Sequence, residues 1–145
     1  MATGDITYFQ EALDFSFFGG WGTADDIKCA VLDNTTTPTA AFATPALGDF
    51  TEVGTAGTYT AGGTSLGGWD ALSTEAAGTL TFDSGTNPTW AQDGSNDTDA
   101  WWGLLYNDTQ AGDPAFAFIE LGGPVDMSAG ALTITWNASG IFTIA

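Results

Sequence analysis

The chain has 145 residues, of which 43% are hydrophobic and six are Trp, so it can bury a sizeable core as a single folded domain. It carries 18 acidic residues against one Lys, with no Arg and no His, for a net charge of −17. This balance excludes nucleic-acid binding and adhesion to anionic membranes, because both need Lys and Arg.

The first 25 residues or so form a lead segment before the first clear strand. Tyr8, Ala12 and Phe15 fall near helical spacing, so residues 7–18 are the one stretch that could be a helix. The extreme N-terminus has no basic region and no apolar signal core, so we expect synthesis in a cytoplasm without self-directed export.

The strand Ile27–Leu32 is the first strong β signal. It contains Lys28, which can pair with at most one carboxylate, and Cys29, which an apolar run surrounds. A lone Cys in such a run is expected to be a buried structural thiol. Residues 34–49 follow, with Pro38 and Pro45 and no periodicity, and they predict a long loop or arm.

Short runs rich in β-branched and aromatic residues continue to the C-terminus, separated by turn residues. The predicted strands span 27–32, 50–53, 58–61, 78–82, 101–107, 115–121, 131–136 and 140–144. Turns are predicted at 107–114, 122–124 and 137–140. This pattern predicts an all-β domain over residues 1–145, an antiparallel β-sandwich or jelly-roll-like barrel of about eight strands.

In two of these strands the order of apolar and polar residues indicates which faces are buried. Leu132, Ile134 and Trp136 alternate with Thr and are predicted to point inward, and the strand is expected to form a hairpin with residues 140–144. In the strand 115–121 both faces are apolar, which fits a central strand of the core or a subunit interface.

Catalytic chemistry is scarce in this sequence. Without His, no Ser-His or Cys-His nucleophile can form, and a zinc site based on His or several Cys is excluded. A carboxylate pair for glycoside hydrolysis remains possible in principle, but among 18 acids some pair will always be close. We predict that the chain is not an enzyme, and we assign no catalytic, cofactor-binding or metal-binding residue and no cofactor.

Two binding hypotheses remain open. Oxygen side chains at Asp93, Ser95, Asp97 and Asp99 alternate as in a calcium loop, although Thr98 stands where an EF-hand has Gly; the alternative is a solvated polar loop. The six Trp side chains suggest sugar binding if they are exposed and core packing if they are not. Because Trp101 and Trp102 point to opposite faces of a strand, at least one of them should be buried.

Several blocks of the sequence, in this order, resemble a widespread group of small structural proteins encoded in tailed-bacteriophage genomes. The blocks are IKCAVL at 27–32, TYTAGG at 58–63, NPTWA at 87–91, LYNDT at 105–109, DPAFAFIELGGPV at 113–125 and LTITWNASGI at 132–141. The similarity covers most of the chain.

The resemblance implies a virion protein, with capsid decoration (cement) as the expected role and the capsid exterior as the expected location. The expected partners are the major capsid protein and further copies of the chain, in a trimer. An acidic protein also fits the outside of a DNA-filled shell better than the inside. The alternatives are a tail or fibre component that binds a receptor, and a sugar- or calcium-binding β module.

Overall fold

The computed structural model describes residues 4–10, 22 and 24–144. Its ten strands are short except in the centre: β1 (Ile6–Tyr8), β2 (Ile27–Leu32), β3 (Thr64–Ser65), β4 (Thr74–Ala76), β5 (Thr79–Phe82), β6 (Thr89–Trp90), β7 (Ala100–Asn107), β8 (Ala115–Val125), β9 (Leu132–Thr133) and β10 (Phe142–Ile144). The helical elements within the described residues are a 3-10 turn at Leu47–Asp49 and a four-residue helix, α1, at Trp69–Leu72.

All strand pairing in the described part of the chain is antiparallel and falls into three sheets. The main sheet has the order β1-β8-β7-β2-β3, a three-stranded sheet has the order β10-β5-β4, and β6 pairs with β9. The predicted all-β class with antiparallel sheets is therefore confirmed, with ten strands instead of about eight.

The two smaller sheets pack on the main sheet in a sandwich-like arrangement. Phe116 of β8 lies against Phe82 of β5, with ring centroids 5.4 Å apart, and against Phe142 of β10 at 6.1 Å. Near β9, the side chain of Ile134 lies over Gly103 of β7, where a Cβ would stand 2.9 Å from Ile134 Cδ1. The core is thus formed between layers, as a β-sandwich requires.

The strands β7 and β8 form the centre of the core. Residues Trp102 to Asn107 and Ala115 to Ile119 are all buried, so both faces of each strand are covered. The apolar character of both faces of 115–121 therefore reflects a central strand, with β1 on one side and β7 on the other.

The predicted inward face of 132–136 is confirmed, but the hairpin is wrong. Leu132 and Ile134 are buried and Trp136 is half-buried, while the intervening Thr residues are exposed. The strand does not pair with its successor, however: β9 pairs with β6 and β10 pairs with β5. The alternation of apolar residues with Thr in 132–136 indicates which side chains are buried, but it does not indicate which strand is the pairing partner.

Three further predictions needed correction. Residues 58–61 form no strand, and 50–53 contribute a single bridge, Leu32 with Glu52. The predicted turn at 122–124 is the end of β8, which continues through a cis Gly123–Pro124 bond to Val125. Gly123 allows the backbones of β8 and β7 to approach closely there, because a Cβ would lie 2.5 Å from the Ala100 carbonyl oxygen.

Part of the possible helix at 7–18 lies within the described residues. Thr7 and Tyr8 lie in β1 and not in a helix, and residues 11–18 of the suggested helix lie outside the described residues. Residues 34–49 run along the same domain: the N–H of Leu47 donates to the Asp113 carbonyl at 3.0 Å, and the N–H of Ala115 donates to the Pro45 carbonyl at 2.8 Å.

Candidate interaction surface

The single Lys of the chain is held within the domain. Lys28 Nζ lies 2.7 Å from Asp108 Oδ2 and 3.8 Å from Asp26 Oδ2, and the side chain is 23% exposed. The hydrogen bond that Lys28 donates to Asp108, aided by the charges of Asp108, Asp26 and Asp113, raises the pKa of Lys28 against the opposing effect of burial. Two carboxylates share this cation, where the sequence predicted at most one, and they hold it against the domain.

A second polar cluster lies beside it and is built from neutral donors. Asp25 Oδ2 accepts hydrogen bonds from Asn107 Nδ2 at 2.8 Å, Gln110 Nε2 at 3.1 Å and the Gly22 N–H at 3.3 Å. The bond from Asn107 lowers the pKa of Asp25 below its ordinary value, with burial acting in the opposite direction. Asn107 itself is fully buried, so its amide works as a structural tie.

Two buried Tyr residues are structural cross-links as well. Tyr59 O–H donates to Glu52 Oε2 and accepts the Val31 N–H at 3.1 Å, and Glu52 Oε2 also accepts the Gly62 N–H at 2.7 Å. Tyr106 O–H donates to the Gly62 carbonyl at 2.8 Å. Burial is the main cause that raises the pKa of both phenols, so neither is suited to act as a base near neutral pH.

Cys29 has the structural character that its surroundings predicted. It is fully buried, and burial raises the pKa of its thiol to about 12. Because the thiolate is the reactive form, this side chain is inert near neutral pH.

The loop from Asp93 to Asp99 is organised by its own hydrogen bonds. Asp93 Oδ1 accepts the Ser95 N–H at 2.8 Å, Asp97 Oδ2 accepts the Gly54 N–H at 2.9 Å, and Asp99 Oδ1 accepts the indole N–H of Trp101. No group of three or more Cys, Asp or Glu side chains in the described residues could hold a metal ion. The carboxylates of Asp93 and Asp97 in this loop thus bind backbone N–H groups and fix the turn.

The Trp side chains that the structure describes do not form an exposed aromatic surface. Trp90 and Trp102 are buried and Trp69, Trp101 and Trp136 are half-buried. Trp102 being buried confirms the prediction for the pair at 101–102. The indole N–H groups of Trp69 and Trp136 donate to backbone carbonyls at 3.0 and 2.7 Å. Trp21, the sixth, lies outside the described residues.

The carboxylates define the surface of the domain. All sixteen acidic residues within the described part of the chain are exposed or half-buried, and none is buried. With Lys28 engaged by Asp108, this surface offers a partner a negative field and hydrogen-bond acceptors.

The described residues contain no helix long and apolar enough to cross a membrane. No family model matches the chain, and neither a curated protein nor a solved structure is significantly similar to it.

Proposed function

We propose that this chain is a capsid decoration protein of a tailed bacteriophage, which binds the outer face of the head shell and stabilises it. The resemblance of its sequence blocks to small phage structural proteins gives the class. The observation that carries the proposal is the charge distribution: sixteen described acidic residues reach the surface, and the one Lys is neutralised within the domain. Such a surface fits a binding and assembly role and offers little to catalysis.

The electrostatics favour a partner with a basic surface. A negative surface repels packed DNA and anionic lipid, and it is attracted to a protein surface that presents Lys and Arg. The partner we propose is the major capsid protein, on its exterior face. Salt should weaken this attachment, because exposed charges are screened within about 8 Å at physiological ionic strength.

Many copies on a symmetric shell would act together. Each copy can bind modestly, because attachment at several points raises the effective concentration of the remaining contacts. We propose a small symmetric oligomer, a trimer, as the unit that attaches. A tail or fibre component with a receptor-binding role is the alternative.

The test is to heat phage heads prepared with and without this protein and to follow DNA release with a fluorescent dye. A decorated head should rupture at a higher temperature than a bare one, and protein added back to bare heads should restore the difference. Equal rupture temperatures would refute the cement role. Copy number per particle separates the alternatives, since hundreds of copies indicate decoration and a few indicate a tail component.

A further inference from the structure

A groove of about 220 Å³ lies between β8 and the strand that begins with β9. It is lined by Gly4, by Ile119, Glu120 and Leu121 of β8, and by the four consecutive residues from Leu132 to Thr135. Successive side chains of a strand point to opposite faces, so four consecutive lining residues mean that the edge of this strand borders the groove.

The hydrogen bonds of β9 show that this edge has no strand beside it. Ile134 donates its N–H to the Pro88 carbonyl at 3.0 Å, and Leu132 is paired with Trp90, so the even-numbered residues bond to the β6 side. In an antiparallel pair the intervening residues direct their N–H and C=O groups to the other edge. Thr133 and Thr135 therefore direct theirs away from β6. Within the described chain, β9 has β6 as its single strand neighbour.

The chemistry of the walls indicates what fits. Ile119, Leu132 and Ile134 are buried and form an apolar floor, and Glu120 is half-buried at the side. The volume is below the roughly 300 Å³ at which small-molecule pockets begin, whereas an open strand edge beside an apolar floor is the arrangement that binds an extended peptide. The chain's single Lys is held by Asp108, so no Lys or Arg of its own can pair with Glu120.

We propose that this groove binds an extended arm of the capsid protein, which adds as a strand to the Thr133–Thr135 edge. The arm places a Lys or Arg beside Glu120 and an apolar side chain on the floor between Leu121 and Ile134. This inference rests on the proposed function, since it names the part of the shell that the decoration protein would grip.

Amide hydrogen exchange of the protein, free and bound to heads, tests the site. Bound protein should show slowed exchange in the segment 132–136, with little change at the loop 137–140. Attachment to heads with protection elsewhere would overturn the groove and leave the decoration role intact. Failure to attach to heads at all would count against the decoration role, and the groove would then be judged on a peptide alone.

Three variants sharpen the test. Thr135→Pro removes an N–H that β6 does not use and obstructs the open edge, and Glu120→Lys reverses the charge. Each should weaken head binding on the order of tenfold. Ala138→Pro is the matched control. The N–H of Gly140 donates to the Asn137 carbonyl at 3.0 Å, so residue 138 holds the turn position that favours Pro. Head binding by this variant should not change. Wild-type binding by correctly folded Thr135→Pro and Glu120→Lys proteins would overturn the proposal.

A peptide measurement needs no phage. Isotope-labelled protein is titrated with a capped peptide in which Val and Thr alternate around a central Lys, and with the same peptide carrying Glu. The Lys peptide should shift the amide signals of Thr133 and Thr135 and the Glu peptide should not. Absence of shifts would overturn the groove. Shifts that follow protein concentration alone would indicate a second copy in the groove, and shifts on deleting residues 1–3 would indicate the chain's own terminus; either would overturn it as well.

Discussion

The side chain of Asn96 and the backbone of Thr58 are joined across 38 residues of sequence, with Asn96 Oδ1 accepting the Thr58 N–H at 2.7 Å. Asn96 Nδ2 donates to the Ala91 carbonyl at 2.8 Å and to the Met127 carbonyl at 3.2 Å. The side chain is almost fully buried, at 5% exposure. One amide therefore ties three loops at one end of the sandwich and satisfies their backbone groups.

Replacing this amide should be costly. Asn96→Ala leaves the Thr58 N–H and the Met127 carbonyl without this partner, while the Ala91 carbonyl keeps the bond from the Thr58 hydroxyl. We expect the free energy of unfolding to fall by about 3 kcal/mol. Urea denaturation measures the loss. The matched control is Ser95→Ala in the same loop, because Ser95 is exposed and its backbone N–H makes the contact to Asp93, so its stability should be unchanged. Equal stability of the two variants would show that the loops do not depend on the amide.

Gly103 of β7 permits the close packing of Ile134 on the main sheet, next to Ile119 of the neighbouring strand β8. A Cβ at this position would lie 2.7 Å from Ile119 Cγ2 and 2.9 Å from Ile134 Cδ1. Gly103→Ala should therefore lower the free energy of unfolding by about 2 kcal/mol through overpacking. Adding Ile134→Val, which removes Cδ1, should recover part of the loss.

Thermal unfolding of the single and double variants measures this coupling. Gly130→Ala is the control, because nothing lies within 4 Å of the added Cβ. If the Ile134→Val change adds to the loss in place of relieving it, the proposed steric conflict is not the cause.

The carboxyl of Asp25 should titrate below the ordinary Asp value because of its bond from Asn107. A lowered folded-state pKa means that this group contributes stability above the unfolded-state pKa, and that the contribution is lost as pH falls through the folded-state value. Carbon-detected NMR of the side-chain carboxyl measures the pKa directly. In Asn107→Ser the pKa should move upward, toward the ordinary value. A pKa in the wild type that equals the value in unfolded protein would contradict the assignment.

Lys28 should matter most at low salt. Lys28→Gln removes the cation between Asp26 and Asp108, and we expect a loss of about 1 kcal/mol in the free energy of unfolding, shrinking as salt is added. Because the folded-state pKa of Lys28 is raised, its contribution is complete below the ordinary Lys pKa and disappears as pH rises through the folded-state value. Lys28→Arg keeps the charge and is the control. A loss that does not depend on salt would indicate packing of the alkyl chain instead.

Much of the architecture followed from local pattern. The strand Ile27–Leu32 was predicted with its observed bounds, and Leu132 and Ile134 lie inward as their alternation with Thr requires. The two apolar faces of 115–121 fitted a central strand or a subunit interface, and β8 is a central strand of the main sheet. These features depend on which side chains are buried, and in a strand the alternation of apolar and polar residues shows this directly.

The features that could not be predicted from the sequence depend on long-range contacts. The strands β1, β3, β4 and β6 have only two or three residues each, too few for a period to show, and β6 is fixed by its pairing with β9. The role of Asn96 arises from neighbours that are distant in sequence, Thr58 and Met127. Asn96 gave no signal beyond a polar residue in a turn-rich run, so nothing local distinguished a buried tie from a solvated side chain.

The lone Lys28 also determines where trypsin can cleave the chain. Trypsin cleaves after Lys or Arg, so the full sequence offers it one bond, between Lys28 and Cys29. That bond lies within β2, whose residues at this point are paired with β7 on one edge and β3 on the other. The enzyme can reach it only when β2 leaves both neighbours, so the rate of this single cut reports how often the main sheet opens.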